Sequence, residues 1–261
     1  MIVMLDEIVA KTKERLTEAK KNKSLDELKQ EVSKLESSDD FPFKKALKDP
    51  QIAIISEVKR ASPSKGLIAE DFDYVSIAKE YEAAGASAIS VLTEPYFFKG
   101  SNDYLKEISE NVSIPILRKD FTIDEYMIWE AKLLGASAVL LIVSILSVVE
   151  LKTYLDLAHE LGLSAIVEVH DADEIRTAMI VGAEIIGVNN RNLKDFTVDI
   201  ENSISLRRCV SGDVIFISES GIKTPQDIRR LKENNVDAVL IGETLMKSDD
   251  KKAMILELKN G

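Results

Sequence analysis

The stretch AKLLGASAVLLIVS (residues 131–144) joins a helix-like segment, a Gly-Ala pair and an apolar run. The same pattern recurs as YEAAGASAISVLTE (residues 81–94) and TAMIVGAEIIGVNN (residues 177–190). The glycine suits the left-handed backbone that commonly follows the last turn of a helix. A unit repeated in this way indicates one supersecondary element used several times. The sequence therefore predicts helices and strands that alternate along the chain.

Extending this pattern in both directions gives eight strand candidates. They are residues 52–59, 88–94, 115–120, 138–144, 164–169, 185–190, 214–219 and 238–242. Near-continuous apolar strands that alternate with helices are typical of a parallel sheet buried on both faces, and eight such units predict a (β/α)8 TIM barrel. An open doubly wound sheet is the alternative. No G-x-G-x-x-G motif follows the first strand, and the spacing stays regular to the end of the chain, so the barrel is favoured.

The first 47 residues precede the first strand and contain two further helical stretches, around residues 4–20 and 25–36. We expect residues 1–47 to be an N-terminal helical extension of a single barrel domain that spans residues 1–261. The opening segment MIVMLDEIVAKTKERL carries Asp6 and Glu7 among its apolar residues. It therefore indicates an amphipathic helix and not a signal peptide.

Composition narrows the functional classes. The 261 residues carry a formal net charge of −11, which argues against a nucleic-acid or anionic-membrane partner, so a bound phosphate must be held by local geometry. Cys209 is the only cysteine, and no apolar run reaches the roughly 18 residues that cross a bilayer, so a cytoplasmic location is predicted. With only His159 and His170 in addition, a His/Cys metal site is excluded, and no metal is predicted, although carboxylates alone can hold magnesium.

Polar side chains end several of the predicted strands. Because side chains alternate along a strand, Glu57 and Lys59 share a face with Ile55, and the same count places Lys119 with Leu117. Further polar groups near strand ends are Glu168, Asn189 and Glu219. They point either into the barrel or outward beneath a helix. The carboxyl ends of barrel strands form the mouth in which catalysis occurs in this fold.

Two interpretations of these groups remain open. Each single residue is equally well explained as part of an ion pair at the barrel rim, with lysines extended toward solvent. Five strands that end in this way favour a site in which lysines and carboxylates displace one another's pKa values, as acid–base catalysis requires. His170 has the parity of Glu168 and is a candidate extra base, but a structural role at the rim is the favoured interpretation.

A second pattern predicts an anion site. SESGI (residues 218–222) follows the seventh strand, and LIGETLM (residues 240–246) follows the eighth and opens a short helix, the usual place for a phosphate in this fold. Gly221 and Gly242 allow close approach to the backbone, or are ordinary turn glycines, and Ser62 offers a hydroxyl. The Glu243 carboxylate is expected to point away from the phosphate while its amide donates.

Aromatic residues follow the second and third strands. They are Tyr96, Phe97, Phe98 and Phe121. At least one is expected to line an apolar slot for a flat ring, although packing within the loops explains each of them equally well.

Taken together, several motifs resemble indole-3-glycerol-phosphate synthase of tryptophan biosynthesis. They are EVKRASPSKG (57–66), LTEPYFFKGS (92–101), ILRKDF (116–121), LLIVSIL (140–146), VEVH (167–170), VNNRNL (188–193), SESGI (218–222) and LIGETLM (240–246). The similarity runs in order from about residue 5 to about residue 257. It is more specific than any single motif, and it implies that the N-terminal extension lies over the mouth of the barrel.

The resemblance implies a carboxy-lyase that needs no cofactor. Its substrate is 1-(2-carboxyphenylamino)-1-deoxyribulose 5-phosphate, and its products are indole-3-glycerol phosphate, carbon dioxide and water. Lys119 resembles the general acid for ring closure and Glu168 the acid or base of the dehydration half, whereas Lys59 resembles the lysine that pairs with the substrate carboxylate or donates the dehydration proton.

The resemblance also implies the other site residues. The groups that orient the catalytic residues and bind substrate hydroxyls are Glu57, Asn189, Glu219 and Ser220. The slot for the anthranilate ring and the loop after the sixth strand correspond to Phe98, Phe121, Leu140, Ile142, Arg191 and Leu193. The phosphate site corresponds to Ser62, Gly221, Gly242 and Glu243.

Two alternative functions were compared with this prediction. A phosphoribosylanthranilate-type isomerase would share the phosphate site, but that family uses a cysteine at the end of the first strand, where this chain has Glu57 and Lys59, and Cys209 is predicted to lie in a helical stretch. The other alternative is a non-catalytic barrel that binds a phosphorylated metabolite. The predicted partner is a phosphorylated small molecule. A monomer is expected, and association with other enzymes of the tryptophan pathway stays open.

Overall fold

Eight parallel strands form a closed barrel in the computed structural model, which describes residues 2–35, 40–49, 51–192 and 196–260. Each barrel strand pairs with the next in the chain, and the first closes the barrel against the eighth with Ala53 opposite Ala238. The strands are Ala53–Val58, Ala88–Leu92, Ile116–Lys119, Ala138–Ile142, Ser164–Val169, Ile185–Asn189, Ile215–Glu219 and Ala238–Ile241. All eight lie within the predicted ranges, which confirms the TIM barrel.

Helices surround the strands. The chain-order helices are Ile2–Asn22, Leu25–Val32, Pro42–Ala46, Tyr74–Ala83, Asn102–Ser109, Glu125–Leu133, Val148–Glu160, Ala172–Ile180, Glu201–Arg207, Pro225–Glu233, Glu243–Met246 and Lys251–Lys259. A 3-10 turn spans Val143–Ile145, and Ala61–Ser62 pairs with Gly66–Leu67 in a small hairpin after the first barrel strand. Within the described residues, no helix is long and apolar enough to cross a membrane.

Local sequence signals set where the helices begin and end. The N-terminal amides of helices are capped by short polar side chains such as Asp73, Ser101 and Thr224, each of which accepts a backbone N–H two or three residues ahead. At the other end, Gly85 and Gly135 have φ angles of +79° and +84°, the left-handed backbone predicted from the repeated Gly-Ala pattern. These caps fix the length of each helix and so align the strands that follow.

The alternation of side chains divides the core into two layers. Residues of one parity, such as Ile55, Leu117 and Ile166, fill the barrel interior. Residues of the other parity, such as Ile54 and Val139, pack beneath the surrounding helices. The polar residues Glu57 and Lys119 share parity with the interior layer and point into the barrel mouth, which is one of the two directions that the sequence left open.

The N-terminal extension touches both ends of the barrel. Helix Leu25–Val32 buries Leu28 and Val32 and packs against helix Glu125–Leu133. The next segment inserts Phe43 and Leu47 into the interior cluster near the N-terminal ends of the strands. The first helix instead lies at the mouth, so only part of the extension occupies the place that the family resemblance implied for it.

Candidate active site

One cavity of about 560 Å³ occupies the mouth of the barrel. Nearly every site residue predicted from the sequence lines it. These are Glu57, Lys59, Ser62, Phe98, Lys119, Phe121, Leu140, Ile142, Glu168, Asn189, Arg191, Glu219, Ser220, Gly221, Gly242 and Glu243. The remaining one, Leu193, lies outside the described residues.

Lys119 lies between two buried carboxylates at the centre of this cavity. Its Nζ atom is 2.7 Å from Glu168 Oε2 and 2.8 Å from Glu219 Oε2. The three side chains come from the third, fifth and seventh strands, so the closed barrel brings together residues that are far apart in the chain. The side chains of Glu168 and Glu219 are only 6% and 3% exposed, and this burial strengthens their attraction to the ammonium.

The two carboxylates have pKa values displaced in opposite directions. Burial alone would raise the pKa of Glu168, but attraction to Lys119 and His170 outweighs it and lowers this pKa below its usual value. Burial raises the pKa of Glu219, and repulsion from Glu168 adds to burial against the attraction of Lys119. Burial also opposes the charge of Lys119, yet both carboxylates hold its pKa above the ordinary lysine value. The site thus combines an ionised carboxylate, an ammonium and a carboxyl group that binds a proton more readily.

A second ion pair lies on the first strand. Lys59 donates to Glu57 Oε1, and both side chains are mostly buried. Gly242, which directly follows the neighbouring eighth strand, makes room for them, since a Cβ atom there would lie 3.0 Å from Glu57 Cδ and 2.9 Å from Lys59 Nζ. The side chains opposite therefore favour glycine here, apart from any contact with a phosphate.

A chain of hydrogen bonds joins the sixth and seventh strands to Glu168. Asn189 Nδ2 donates to Glu168 Oε1 at 3.3 Å, while Asn189 Oδ1 accepts the Ser220 hydroxyl at 3.2 Å and the Arg191 N–H at 3.0 Å. The three contacts orient the Asn189 amide with its NH2 group toward Glu168. Arg191 also lines the cavity.

The apolar wall of the cavity has an aromatic pair. The ring centroids of Phe98 and Phe121 are 6.0 Å apart with an interplanar angle of 39°. Glu94 fixes the Phe98 loop because its carboxylate accepts the N–H groups of Tyr96, Phe97 and Phe98 at 2.7–3.0 Å. Phe98 and Phe121 therefore line the slot, whereas Tyr96 is 52% exposed.

The predicted phosphate end contains lysines that the sequence analysis missed. Lys65, Lys223 and Lys247 line the cavity beside Gly221 and Glu243. The Glu243 carboxylate lies 2.7 Å from Lys247 Nζ and 3.7 Å from Lys65 Nζ, and these cations offset its partial burial and lower its pKa. Each of these lysines lies in or next to one of the motifs named above, which was a usable signal. Lys65 is within EVKRASPSKG, Lys223 follows SESGI, and Lys247 follows LIGETLM, one helical turn after Glu243.

The first helix contributes an apolar edge that was also missed. Met4, Leu5 and Ile8 line the cavity. Their spacing of one helical turn indicates an amphipathic face, but no local pattern shows which surface that face covers. Arg15 on the same helix binds Asp120 through two hydrogen bonds of 2.8 and 3.0 Å.

His170 is outside the wall of the cavity. Its Nδ1 atom lies 3.1 Å from Glu174, and its Nε2 atom lies 3.6 Å from Glu168 Oε1. Burial opposes its charge, but these carboxylates raise its pKa. Among the described residues, no group of three or more His, Cys, Asp and Glu side chains is arranged to hold a metal ion.

Comparison with known proteins agrees with this arrangement. Residues 5–258 match the sequence profile of a family described as indole-3-glycerol phosphate synthase. The chain belongs to the indole-3-glycerol phosphate synthase family. Its activity is that of a carboxy-lyase of tryptophan biosynthesis.

Two relatives illustrate the degree of similarity. The indole-3-glycerol phosphate synthase of Ruminiclostridium cellulolyticum is 55% identical over 257 residues, covering 98% of this chain and 99% of that protein. The one from Endomicrobium trichonymphae is 55% identical over 258 residues, covering 99% of this chain and all of its own. Among solved structures, 3-hexulose-6-phosphate synthase from Salmonella typhimurium has a TM-score of 0.66 at 15% identity over 80% of this chain and 97% of its own, which shows the shared barrel alone.

Proposed function

We propose that the mouth of this barrel converts 1-(2-carboxyphenylamino)-1-deoxyribulose 5-phosphate into indole-3-glycerol phosphate, carbon dioxide and water. The observation that carries the proposal is the placement of Lys119 between Glu168 and Glu219. An acid must protonate the substrate carbonyl as the ring carbon attacks it, and an acid–base pair must later remove water. Both carboxylates keep the Lys119 ammonium protonated at neutral pH, so it carries the proton that the first task needs, although its raised pKa makes it a weaker acid than an ordinary lysine.

The later steps use the groups around Lys119. Breaking the bond to the carboxylate releases carbon dioxide, and its electron pair restores the aromatic ring. The hydroxyl made by ring closure then leaves as water when it is protonated, and loss of a ring proton completes the pyrrole. Glu168, ionised and oriented by Asn189, is the base we assign to that proton. Lys59, paired with Glu57, is the cation we assign to the substrate carboxylate.

The ends of the cavity match the two ends of this substrate. The aromatic and aliphatic wall at Phe98, Phe121, Leu140 and Ile142 suits the anthranilate ring. At the opposite side, Ser62 offers a hydroxyl to the phosphate, and Gly221 and Gly242 offer backbone that carries no side chain. Lys65, Lys223 and Lys247 supply local positive charge in a chain whose formal net charge is −11.

The alternative functions fit these residues less well. Cys209 is exposed and lies in the turn after helix Glu201–Arg207, not within a helix as predicted and not in the cavity wall, so it cannot be the base of an isomerase at the barrel mouth. A barrel that only binds a phosphorylated metabolite would not need a buried lysine held by two carboxylates. We also propose that the chain acts as a monomer in the cytoplasm, and association with other enzymes of the pathway remains an open proposal.

Replacing Lys119 tests the proposed acid. We expect Lys119→Ala to lower kcat by about 10²- to 10⁴-fold, the usual contribution of general acid catalysis, with a much smaller loss of substrate affinity. Turnover and the dissociation constant of the substrate are measured side by side. Lys106→Met, which changes an exposed lysine on helix Asn102–Ser109, is the control. A Lys119→Ala variant with near wild-type kcat would refute the assignment.

A further inference from the structure

A buried polar cluster lies on the outer side of the sixth and seventh strands, away from the catalytic cavity. It consists of Asn190, Ser203 and Ser218, which are 4%, 0% and 0% exposed. Asn190 Oδ1 accepts the N–H and the hydroxyl of Ser203 at 3.0 and 2.7 Å, and Asn190 Nδ2 donates to Ser218 Oγ at 2.9 Å. The Ser203 hydroxyl also contacts Ser218 Oγ at 2.8 Å. Every polar atom of the Asn190 side chain is thus satisfied by protein groups.

One further bond connects this cluster to the catalytic mouth. Asn190 Nδ2 also donates to the backbone carbonyl of Ser220 at 3.0 Å. Ser220 has a φ angle of +70°, a left-handed conformation that costs a residue other than glycine of order 1 kcal/mol or more. Such a conformation persists only where the surroundings hold it in place, and the bond from Asn190 is a direct restraint on that peptide group.

The conformation of Ser220 in turn determines which end of the Asn189 amide faces the Glu168 carboxylate. With its backbone left-handed, the Ser220 hydroxyl reaches Asn189 Oδ1 at 3.2 Å. The Asn189 NH2 group then faces Glu168 Oε1 at 3.3 Å. Asn189 and Asn190 are neighbours in the chain and point to opposite sides of the strand, so one lies in the cavity and the other lies beneath helix Glu201–Arg207.

We propose that Asn190 is a positioning residue, which holds Ser220 in its left-handed conformation and thereby fixes the orientation of the Asn189 amide against Glu168. This inference rests on the proposed roles of Asn189, Ser220 and Glu168. Without Asn190, the Ser220 peptide relaxes and its hydroxyl leaves Asn189. The Asn189 oxygen then keeps only its hydrogen bond from the Arg191 N–H. With one of its two restraints lost, the amide turns its oxygen toward Glu168 more often, which replaces a hydrogen bond with repulsion.

This change has a specific signature in the pH dependence. The charged and titratable groups that face Glu168 are Lys119, Glu219 and His170, together with the polar amide of Asn189. Among the causes that lower the pKa of Glu168, the Asn189 hydrogen bond is the one that depends on Asn190. Its loss favours the protonated carboxyl. The acid limb of kcat/KM, which reports the free enzyme, should therefore move to higher pH.

The test compares Asn190→Ala with wild type in kcat and in the pH profile of kcat/KM. We expect kcat to fall about tenfold, the effect of one lost orienting interaction, and the acid limb to move upward. Asn190→Asp is the second variant, since it keeps the shape and the acceptor for Ser203 but places a carboxylate oxygen against the Ser220 carbonyl. It is expected to show the same two changes, so the test does not depend on the folding of a single variant.

Ser203→Ala is the matched control. It removes two hydrogen bonds from the same buried cluster but leaves the contact between Asn190 and Ser220, so it should lower thermal stability without moving the acid limb. If Ser203→Ala and Asn190→Ala shift the profile equally, or if neither Asn190 variant shifts it, Asn190 has only a structural role and the inference is overturned.

The background variant Ser220→Ala separates this inference from the proposed function. If Asn190 acts through the Ser220 hydroxyl, adding Asn190→Ala to Ser220→Ala should lower kcat less than about twofold further. If the double variant instead shows the full product of the two single losses in kcat, the inference about Asn190 is overturned, while the proposed roles of Asn189, Ser220 and Glu168 stand. Wild-type kinetics for Ser220→Ala alone would instead remove the proposed orienting role of Ser220 and the inference with it.

Discussion

At the scale of single residues, the chemistry depends on two carboxylates that share one lysine but differ in surroundings. Glu168 also faces Asn189 and His170, whereas Glu219 Oε1 has no hydrogen-bond partner among the described residues. A Cβ atom at Gly187 would collide with the Glu219 carboxylate, so the glycine on the sixth strand permits this crowded placement. The unpartnered oxygen and the raised pKa both indicate that the ionised Glu219 side chain destabilises the folded protein.

Replacing Glu219 should therefore stabilise the protein while it lowers activity. Because burial raises the pKa of Glu219 above the ordinary 4.5, the folded state binds a proton more tightly than the unfolded chain, and stability falls as pH rises between the two values. Glu219→Gln removes this penalty. We expect a gain of about 1.4 kcal/mol for each pH unit that separates the folded from the unfolded pKa.

Thermal unfolding across a pH series checks this expectation. Tm of Glu219→Gln should exceed that of wild type at pH values above the folded pKa, and the two should converge below about pH 4, where the carboxyl is protonated in both states. Glu233→Gln, an exposed glutamate at the end of helix Pro225–Glu233, should show no such dependence. A lower Tm for Glu219→Gln at neutral pH would mean that its attraction to Lys119 outweighs burial.

Strand parity grouped the polar residues at the strand ends, for a physical reason. A strand has a fixed alternation, so Glu57, Lys119 and Glu168 could each be placed on a face of its strand, although not on the inner or the outer side of the barrel. The residues of the ring slot followed only from the family resemblance. Asn190 was not predicted although it is the next residue after Asn189. Its role depends on hydrogen bonds to Ser203 and Ser220. These residues are distant in the sequence, and no periodic pattern in the sequence shows that the fold brings them together.

At the scale of elements, the first helix is tied to the catalytic strand by a buried ion pair. Arg15 donates both hydrogen bonds to Asp120, which directly follows Lys119 and also accepts the Thr93 hydroxyl at 2.6 Å. Arg118 lies 3.5 Å from the same carboxylate. Burial alone would raise the pKa of Asp120, but the two guanidinium groups lower it below its usual value. The first helix, which lies at the mouth, is therefore bonded to the residue next to the catalytic lysine.

Removing the Arg15–Asp120 ion pair should make the first helix more mobile. We expect Arg15→Met to lower the free energy of unfolding by about 2 kcal/mol, because Asp120 stays buried with one guanidinium instead of two. The helix that carries Met4, Leu5 and Ile8 should exchange its amide hydrogens faster, and KM should rise more than kcat falls. Lys11→Met, which breaks an exposed pair with Glu14 on the same helix, is the control and should leave Tm unchanged.

The pH dependence of this variant has a defined sign. A carboxylate with a lowered folded pKa stabilises the protein above its unfolded value, here 3.8, and this contribution disappears as pH falls through the folded pKa. The difference in Tm between wild type and Arg15→Met should thus be largest at neutral pH and shrink on acidification. A difference that is the same at all pH values would show that Arg15 acts by packing and not through the charge of Asp120.

At the scale of the whole molecule, the fold was predictable because the same helix–glycine–strand unit recurs. The glycines at positions 85, 135 and 182 all have positive φ, so each repeat encodes its own turn. The path of the extension was less predictable. Phe43 and Leu47 plug the end of the barrel opposite the mouth, and no local pattern says which end of a barrel an apolar pair will fill.

Catalysis by the whole molecule is best tested by following formation of the indole product. The purified chain is mixed with 1-(2-carboxyphenylamino)-1-deoxyribulose 5-phosphate in the presence of a chelator, and indole fluorescence is followed over time. We expect a steady rise in fluorescence that Lys119→Ala removes while the variant still binds the substrate. If the substrate binds the wild-type chain and raises its Tm but the fluorescence does not rise, the protein is a barrel that binds a phosphorylated compound without converting it, and the proposed function is wrong.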